Sequence, residues 1–281
     1  MILVTTPGKV GREAAALLSG AGTPVRVLVR NPGQAQSLRA AGIEAAAGDL
    51  EDEASIAKAM VGVTAVILVS PAVPAQELRV VQAAKEAGAA HVVKVTSKAS
   101  PDSPIARRRG QSEIEAGLAA SGLPRTLLRA NAYMQNFLAL APAIAATGCF
   151  ASSAAGGRVG LVDARDVAAV AARIAASPGG HDGQTYWLTG PELLSYTDVA
   201  AIFSEVLGRS IGFRPRTMEE DRQAMIAAGV PDAVAEQNAQ AFSLIAAGDA
   251  EWLSADIGKI LGHPGRTFRQ FARDYEPAFN G

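Results

Sequence analysis

Short uninterrupted apolar runs alternate along the first half of the chain with longer stretches in which apolar residues recur every three to four positions. The runs Ile2-Leu3-Val4, Val25–Val29, Ala65–Val69, His91–Val95 and Arg125–Leu128, with a weaker one at Glu44–Ala47, predict strands. The stretches between them predict helices from Ala14 through Leu18, then over Gln34–Ala41, Glu51–Met60, Ala75–Ala87 and Ile105–Ala120. Gly42, Gly88 and Gly122 stand where helices stop, and Arg30-Asn31-Pro32-Gly33 reads as a turn. Strands that are apolar throughout are covered on both faces, so the pattern predicts an α/β fold with a doubly wound parallel (Rossmann) sheet. Ligands of such sheets bind beyond the carboxyl ends of the strands. That rule selects Thr5–Gly11, Arg30, Gly48–Leu50, Ser70–Pro71, Thr96–Ser97 and Ala130–Tyr133.

The rhythm changes after about residue 130. Ala139–Ala155 is alanine-rich and interrupted by Pro142 and Gly148. A helix with a small-residue face is expected over Asp163–Ala176, and strands over Gln184–Leu188 and Ile211–Arg214. Ser195 is placed to cap a helix over Thr197–Leu207, and Met218–Ala247 reads as helices broken at Gly229-Val230-Pro231. The aromatic spacing Phe268, Phe271, Tyr275 reads as packing. We divide the chain into a dinucleotide-binding domain over 1–150 and a smaller α/β substrate-binding lobe over 151–281, with the helix near 163–176 packing back on the first.

Composition narrows the function. With 49% apolar and 19% charged residues in 281 the chain is globular, and a net charge of −1 from 26 basic and 27 acidic residues gives no field to collect nucleic acid. Arg107-Arg108-Arg109 reads as a solvated helix end. The one cysteine, Cys149, reads as buried packing, and three scattered histidines show no ligand spacing, so no metal site is expected. No leader and no apolar run long enough to span a membrane is evident, which points to a cytoplasmic protein acting on a small molecule as a monomer or homodimer.

The first turn carries the sharpest chemistry. Met1–Val4 runs through Thr5, Thr6, Pro7, Gly8, Lys9, Val10 and Gly11 into a helix, a strand–turn–helix that presents backbone N–H groups and a positive dipole end to a phosphate. Arg30 closes the second strand, where an arginine attracts the 2′-phosphate of NADPH and makes NADH the poorer cofactor. Asp49 can accept from an adenine amine, with Leu50 covering the ring; capping the helix that follows is the plainer role for Asp49. Asn131, Tyr133 and Asn136 follow the sixth strand, toward the reacting end of the cofactor. Ser70, Pro71, Thr96, Ser97 and Asn131 complete the expected cofactor contacts, and Tyr133 and Asn136 the expected substrate contacts. Tyr133 is a candidate proton donor or pocket wall, or a packing tyrosine.

The ordered set Val4-Thr5, Gly8-x-x-Gly11, Val29-Arg30, Gly48-Asp49-Leu50, Lys94–Ser97, Ser121–Arg129, Asn131-x-Tyr133-Met134-x-Asn136, Asp163–Ala168 and Tyr186–Glu192 resembles the NmrA-like atypical short-chain dehydrogenase/reductases, triphenylmethane reductases and type 2 quinone oxidoreductases among them. The resemblance spans about residues 1–210 and implies an NADPH-dependent reductase, or a dinucleotide-sensing regulator that catalyses nothing. An isomerase or dehydratase on the same fold is a third reading. Two departures bear on mechanism. The phosphate loop lacks its first glycine and is one residue short. Where commoner family members carry Tyr-x-x-x-Lys, counting back from Glu115 places Arg107 and Gln111. With that phenol missing, the expected reaction is hydride transfer to an acceptor already poor in electrons: a quinone, an imine or iminium, or an activated enone. Gln111 is the candidate to hydrogen-bond a substrate oxygen, against the alternative of a polar residue on a solvated helix face.

Overall fold

The apolar runs form strands in a computed structural model that describes residues 1–280. Strand and helix alternate as β1 (Ile2–Val4), α1 (Lys9–Gly20), β2 (Val25–Val29), α2 (Pro32–Ala40), β3 (Glu44–Ala47), α3 (Glu53–Ala59), β4 (Ala65–Leu68), α4 (Pro74–Glu86), β5 (His91–Thr96), α5 (Ala106–Ala120) and β6 (Arg125–Ala130). A 3₁₀ segment (Met134–Leu140) leads to α6 (Ala141–Thr147), β7 (Cys149–Ser152), β8 (Arg158–Val159), α7 (Ala164–Ala176) and β9 (Thr185–Leu188). The chain continues with β10 (Leu194–Ser195), α8 (Tyr196–Leu207), β11 (Gly212–Pro215), α9 (Met218–Ala227), α10 (Asp232–Ala246), α11 (Asp256–Leu261), α12 (Phe268–Asp274) and α13 (Glu276–Asn280).

The main sheet has seven strands in the order β3-β2-β1-β4-β5-β6-β9, and every neighbouring pair is parallel. Alternate residues of one strand enter different cores. Ile2 and Val4 pack with Val27, Ile67, Val93 and Leu128 under α1 and α7, while Leu3 packs with Leu28, Val66, Leu68 and Val92 under α3, α4 and α5. The small residues Ala14 and Ala15 of α1 and Ala168, Ala171 and Ala172 of α7 share the first core, which lets the two helices lie close. A third cluster holds the later elements together around Phe137, Phe150, Tyr196, Phe203, Phe268 and Phe271, with ring centroids 5.2–6.4 Å apart in mostly edge-on contacts.

Several boundaries differ from the pattern for local reasons. Asn31-Pro32-Gly33 is the start of α2: the Asn31 side chain accepts from Gly33 N at 2.7 Å, and Pro32 takes the first helical position, where its missing N–H costs nothing. Asp52, not Asp49, caps α3, accepting from Ala54 N. The alanine-rich stretch after 139 hides β7 and β8; β7 pairs in parallel with β11, more than sixty residues later, after Gly148 ends α6 at φ +63°. Cys149 is half-buried at the start of β7 rather than fully packed away. Among the described residues no helix is long and apolar enough to cross a membrane, and no cluster of His, Cys, Asp and Glu could hold a metal ion.

Candidate active site

Strand order reverses between β1 and β4, so a crevice opens at the carboxyl ends of these two strands. Thr5 fixes its floor. Its Oγ1 donates to Val69 O at 2.7 Å and accepts from Val69 N at 2.9 Å, and Thr6 Oγ1 also donates to Val69 O. Both hydroxyls are thereby committed to the β1–β4 seam, leaving the loop backbone to face a ligand. Gly8 then starts α1 with no side-chain cap, so the N–H groups of the first turn have no acceptor from a capping side chain. The two glycines differ in kind. A Cβ on Gly11 would sit 1.9 Å from Thr6 O, so the protein's own backbone requires glycine there. A Cβ on Gly8 would meet nothing closer than Thr6 Oγ1 at 3.7 Å, so its bare Cα leaves room that the protein does not fill. Val10 is buried in the core, and Lys9 Nζ donates across the crevice to Asn136 Oδ1 at 3.1 Å.

At the β2 and β3 ends, Arg30 Nη1 lies 3.6 Å from Asp49 Oδ2, both side chains accessible. Asp49 Oδ1 also accepts from Glu51 N. Leu50 is buried among Leu28, Ile56 and Leu68, so it forms the floor beneath this end rather than a free cover. At the β4 end, Ser70 donates its hydroxyl to Glu77 at 2.5 Å, and Glu77 pairs with Lys94 at 2.6 Å with both side chains wholly buried. Pro71 is exposed, and Ala72 follows at φ +64°, an unusual conformation for a residue with a Cβ. Burial lowers the pKa of Lys94, against the pull of Glu77 and Glu115.

Along β5 and α5 the contacts form a ladder. Thr96 donates to Glu115 at 3.0 Å, and Glu115 is held by Arg129 at 2.5 Å. The next residue outward on β5 is Ser97, and one turn nearer the start of α5 is Gln111. Ser97 Oγ and Gln111 Oε1 are both buried and have no hydrogen-bond partner. Gln111 is 5% exposed, which removes the solvated-face reading. One more turn outward stands Arg107. It is accessible to solvent; desolvation by the protein around it lowers its pKa, Arg108 lowers it further, and Tyr133 partly offsets both. Tyr133 is half-buried; burial pushes its phenol well above the usual range, and Arg107 pulls it back down. Lys9 is likewise accessible, with its pKa lowered by burial. Two shallow depressions of about 600 and 420 Å³ lie beyond the end of β9 and are lined by none of Lys9, Arg107 and Tyr133.

The segment after α10 is tied over this edge. Asn131 Nδ2 donates to Ala250 O at 3.0 Å and Asn131 Oδ1 accepts from Ala132 N, so its side chain serves that junction. Lys98 and Arg108 both bind Asp249 at 2.7 Å. The expected residues therefore gather at one edge, though Thr5, Ser70, Thr96 and Asn131 spend their side chains on the scaffold. The Arg107–Tyr133 neighbourhood and the Asp249 latch carried no local motif in the sequence.

The chain matches the NmrA-like family over residues 1–257. It is 36% identical to an NAD(P)H azoreductase of Xenophilus azovorans, covering 99% of both chains. It is 38% identical to a (4-alkanoyl-5-oxo-2,5-dihydrofuran-3-yl)methyl phosphate reductase of Streptomyces griseus, again over 99% of both. Among solved structures, an NADPH-dependent quinone oxidoreductase of Escherichia coli in complex with NADPH superposes with a TM-score of 0.87 at 30% identity, covering 98% of this chain and 100% of that one.

Proposed function

This chain belongs to the NmrA-like family, and on that premise we propose that it transfers hydride from NADPH to a small, electron-poor acceptor. The observation that carries the reading is the β1–α1 turn: an uncapped helix start at the switch point of a parallel sheet, with room over Gly8 and the cations Lys9 and Arg30 on either side. The first-turn N–H groups and Lys9 suit the diphosphate, Arg30 the 2′-phosphate, and Asp49 the adenine amine. The backbone around Ser70, Pro71, Thr96, Ser97 and Asn131 lines the rest of the crevice. The orphaned Ser97 Oγ and Gln111 Oε1 lie where a bound cofactor and acceptor would complete them, since buried polar atoms are seldom left without partners.

NADPH supplies the hydride, and one proton must reach the product: a quinone becomes a hydroquinone and NADP⁺ is left. Tyr133 stays protonated near neutral pH because burial holds its pKa up. Such a phenol is a weak acid, so it suits an acceptor that stabilises its own incoming electrons and penalises one that must form a free alkoxide. The relatives' names fit this chemistry, being reductases of an azo group, a quinone and an unsaturated acyl lactone. Within this reading Tyr133 donates or walls the pocket, Gln111 and Asn136 contact the acceptor, and the protein works in the cytoplasm as a monomer or homodimer. The test is NADPH oxidation measured against a panel of azo dyes, quinones, imines and activated enones. Turnover of at least one class is expected; tight NADPH binding with no turnover on any would replace the reductase with a sensor.

A further inference from the structure

The start of α5 is built against its own helix dipole. Its first turn reads Ala106-Arg107-Arg108-Arg109, with no acidic residue and no side-chain cap on Ile105. Cations at a helix N-terminus are unfavourable by themselves, and this position favours an anion. Two of the three arginines are accounted for. Arg108 binds Asp249, and Arg109 donates to the carbonyls of Ser103 and Pro104. Arg107 enters none of the ion pairs formed among the described residues. Its charge is felt by the Tyr133 phenol, and one helical turn along α5 is Gln111, nine-tenths buried with an unpartnered Oε1. An uncompensated guanidinium and an unsatisfied amide thus lie one turn apart on α5.

We propose that Arg107 is the specificity residue of this site, and that the preferred acceptors carry an acidic group (sulfonate, phosphate or carboxylate) that it seats. The proposal rests on the reductase reading for the acceptor's reducible part and on the arginine alone for its charge. A planar guanidinium binds an oxyanion through two parallel hydrogen bonds, which a neutral acceptor of the same shape cannot accept as strongly. Gln111, one turn deeper, would then meet the reducible end of the same molecule.

Two measurements test this on the full chain. The first compares kcat/KM for 1,4-naphthoquinone-2-sulfonate with that for 1,4-naphthoquinone. Arg107→Gln should lower the sulfonate-to-neutral ratio at least tenfold relative to wild type, and Arg107→Lys should restore part of it. Arg109→Gln, whose guanidinium bonds carbonyls, should leave the ratio within twofold. The second is calorimetric binding of 2-naphthalenesulfonate and its neutral sulfonamide to the NADP⁺-loaded protein, in which nothing is reduced. Wild type should favour the sulfonate at least tenfold and Arg107→Gln should abolish that preference. An unchanged ratio in Arg107→Gln, an equal fall in Arg109→Gln, or no preference in wild type overturns the anion seat. Failure to reduce either quinone or any other class of acceptor in the panel, with the calorimetric preference intact, would instead remove the reductase reading and leave the seat standing.

Discussion

Single residues at the phosphate turn divide into those the fold needs and those a ligand needs. Ala at position 11 would place its Cβ on a carbonyl oxygen that cannot move without breaking the β1–β4 seam. In an open helix Gly→Ala gains about 1 kcal/mol; here overpacking wins, and Gly11→Ala should lose roughly 1–3 kcal/mol or more in denaturant unfolding. Gly8→Ala meets no such clash, so it should unfold at nearly the wild-type midpoint while NADPH binding weakens at least tenfold by calorimetry. Equal stability losses in the two variants would contradict this division. Arg30 offers a second contrast. Its pair with Asp49 is exposed and 3.6 Å long, so it contributes little stability, whereas a charge-assisted hydrogen bond to a 2′-phosphate contributes about 1.5–3 kcal/mol. Arg30→Ala should raise the KM for NADPH at least tenfold and leave that for NADH nearly unchanged. Tyr133→Phe should lower kcat/KM at least tenfold in steady-state assays; an unchanged rate would take its hydroxyl out of the proton path. The tight turn at Gly11 and the strand-end place of Arg30 were legible because glycine spacing and strand ends are local. Arg107 was not: the sequence shows an empty catalytic slot, and only the fold sets it beside a tyrosine twenty-six residues later.

At the scale of elements, helices and strands formed where local pattern and tertiary need agreed. The continuous runs of β1, β2, β4 and β5 could hardly be anything else. β7 and β8 were hidden because Cys149–Ser152 carries one large apolar residue, Phe150, and the partner that makes it a strand is β11. The β4–α4 junction shows the same dependence. Ser70 follows β4, Glu77 lies on α4 and Lys94 on β5, so nothing local in the sequence joins the three. Their ion pair is fully buried, so removing one partner strands a charge in the core. Lys94→Met should therefore cost about 3–5 kcal/mol, whereas Lys94→Met with Glu77→Leu should be close to neutral for stability. The double variant frees Ser70, so KM for NADPH should still rise through the loosened Ser70–Ala72 loop. Wild-type KM in a stable double variant would show that the pair does not position that loop.

For the whole molecule, the question is what keeps the aromatic cluster of the later elements seated against the main sheet. Asp163 is central to that junction. It is wholly buried, caps α7 through Arg165 N, accepts from Gln135 Nε2 at 2.7 Å, and holds the Arg165 guanidinium, which reaches on to Asp274 of α12 and lies over the Tyr275 ring. Sheet-side helix, 3₁₀ segment and C-terminal helices thus meet on one carboxylate. Burial by itself would raise the pKa of Asp163, but the hydrogen bonds from Arg165 and Gln135 outweigh it and hold the group below its usual value. A carboxylate depressed in the folded state contributes stability that is present above its unfolded pKa and fades as pH falls through its folded one. Asn caps helices as well as Asp does, so Asp163→Asn removes the charge and spares the cap. Near neutral pH the variant should lose about 3–5 kcal/mol, the scale of breaking a buried pair from one side. As the pH falls below the usual carboxylate range and through the depressed pKa of Asp163, that difference should shrink, because wild type then sheds the same charge by protonation. Denaturant midpoints measured from neutral to acid pH give the comparison; parallel curves over the whole range would mean that the Asp163 charge is not what joins α7, the 3₁₀ segment and α12.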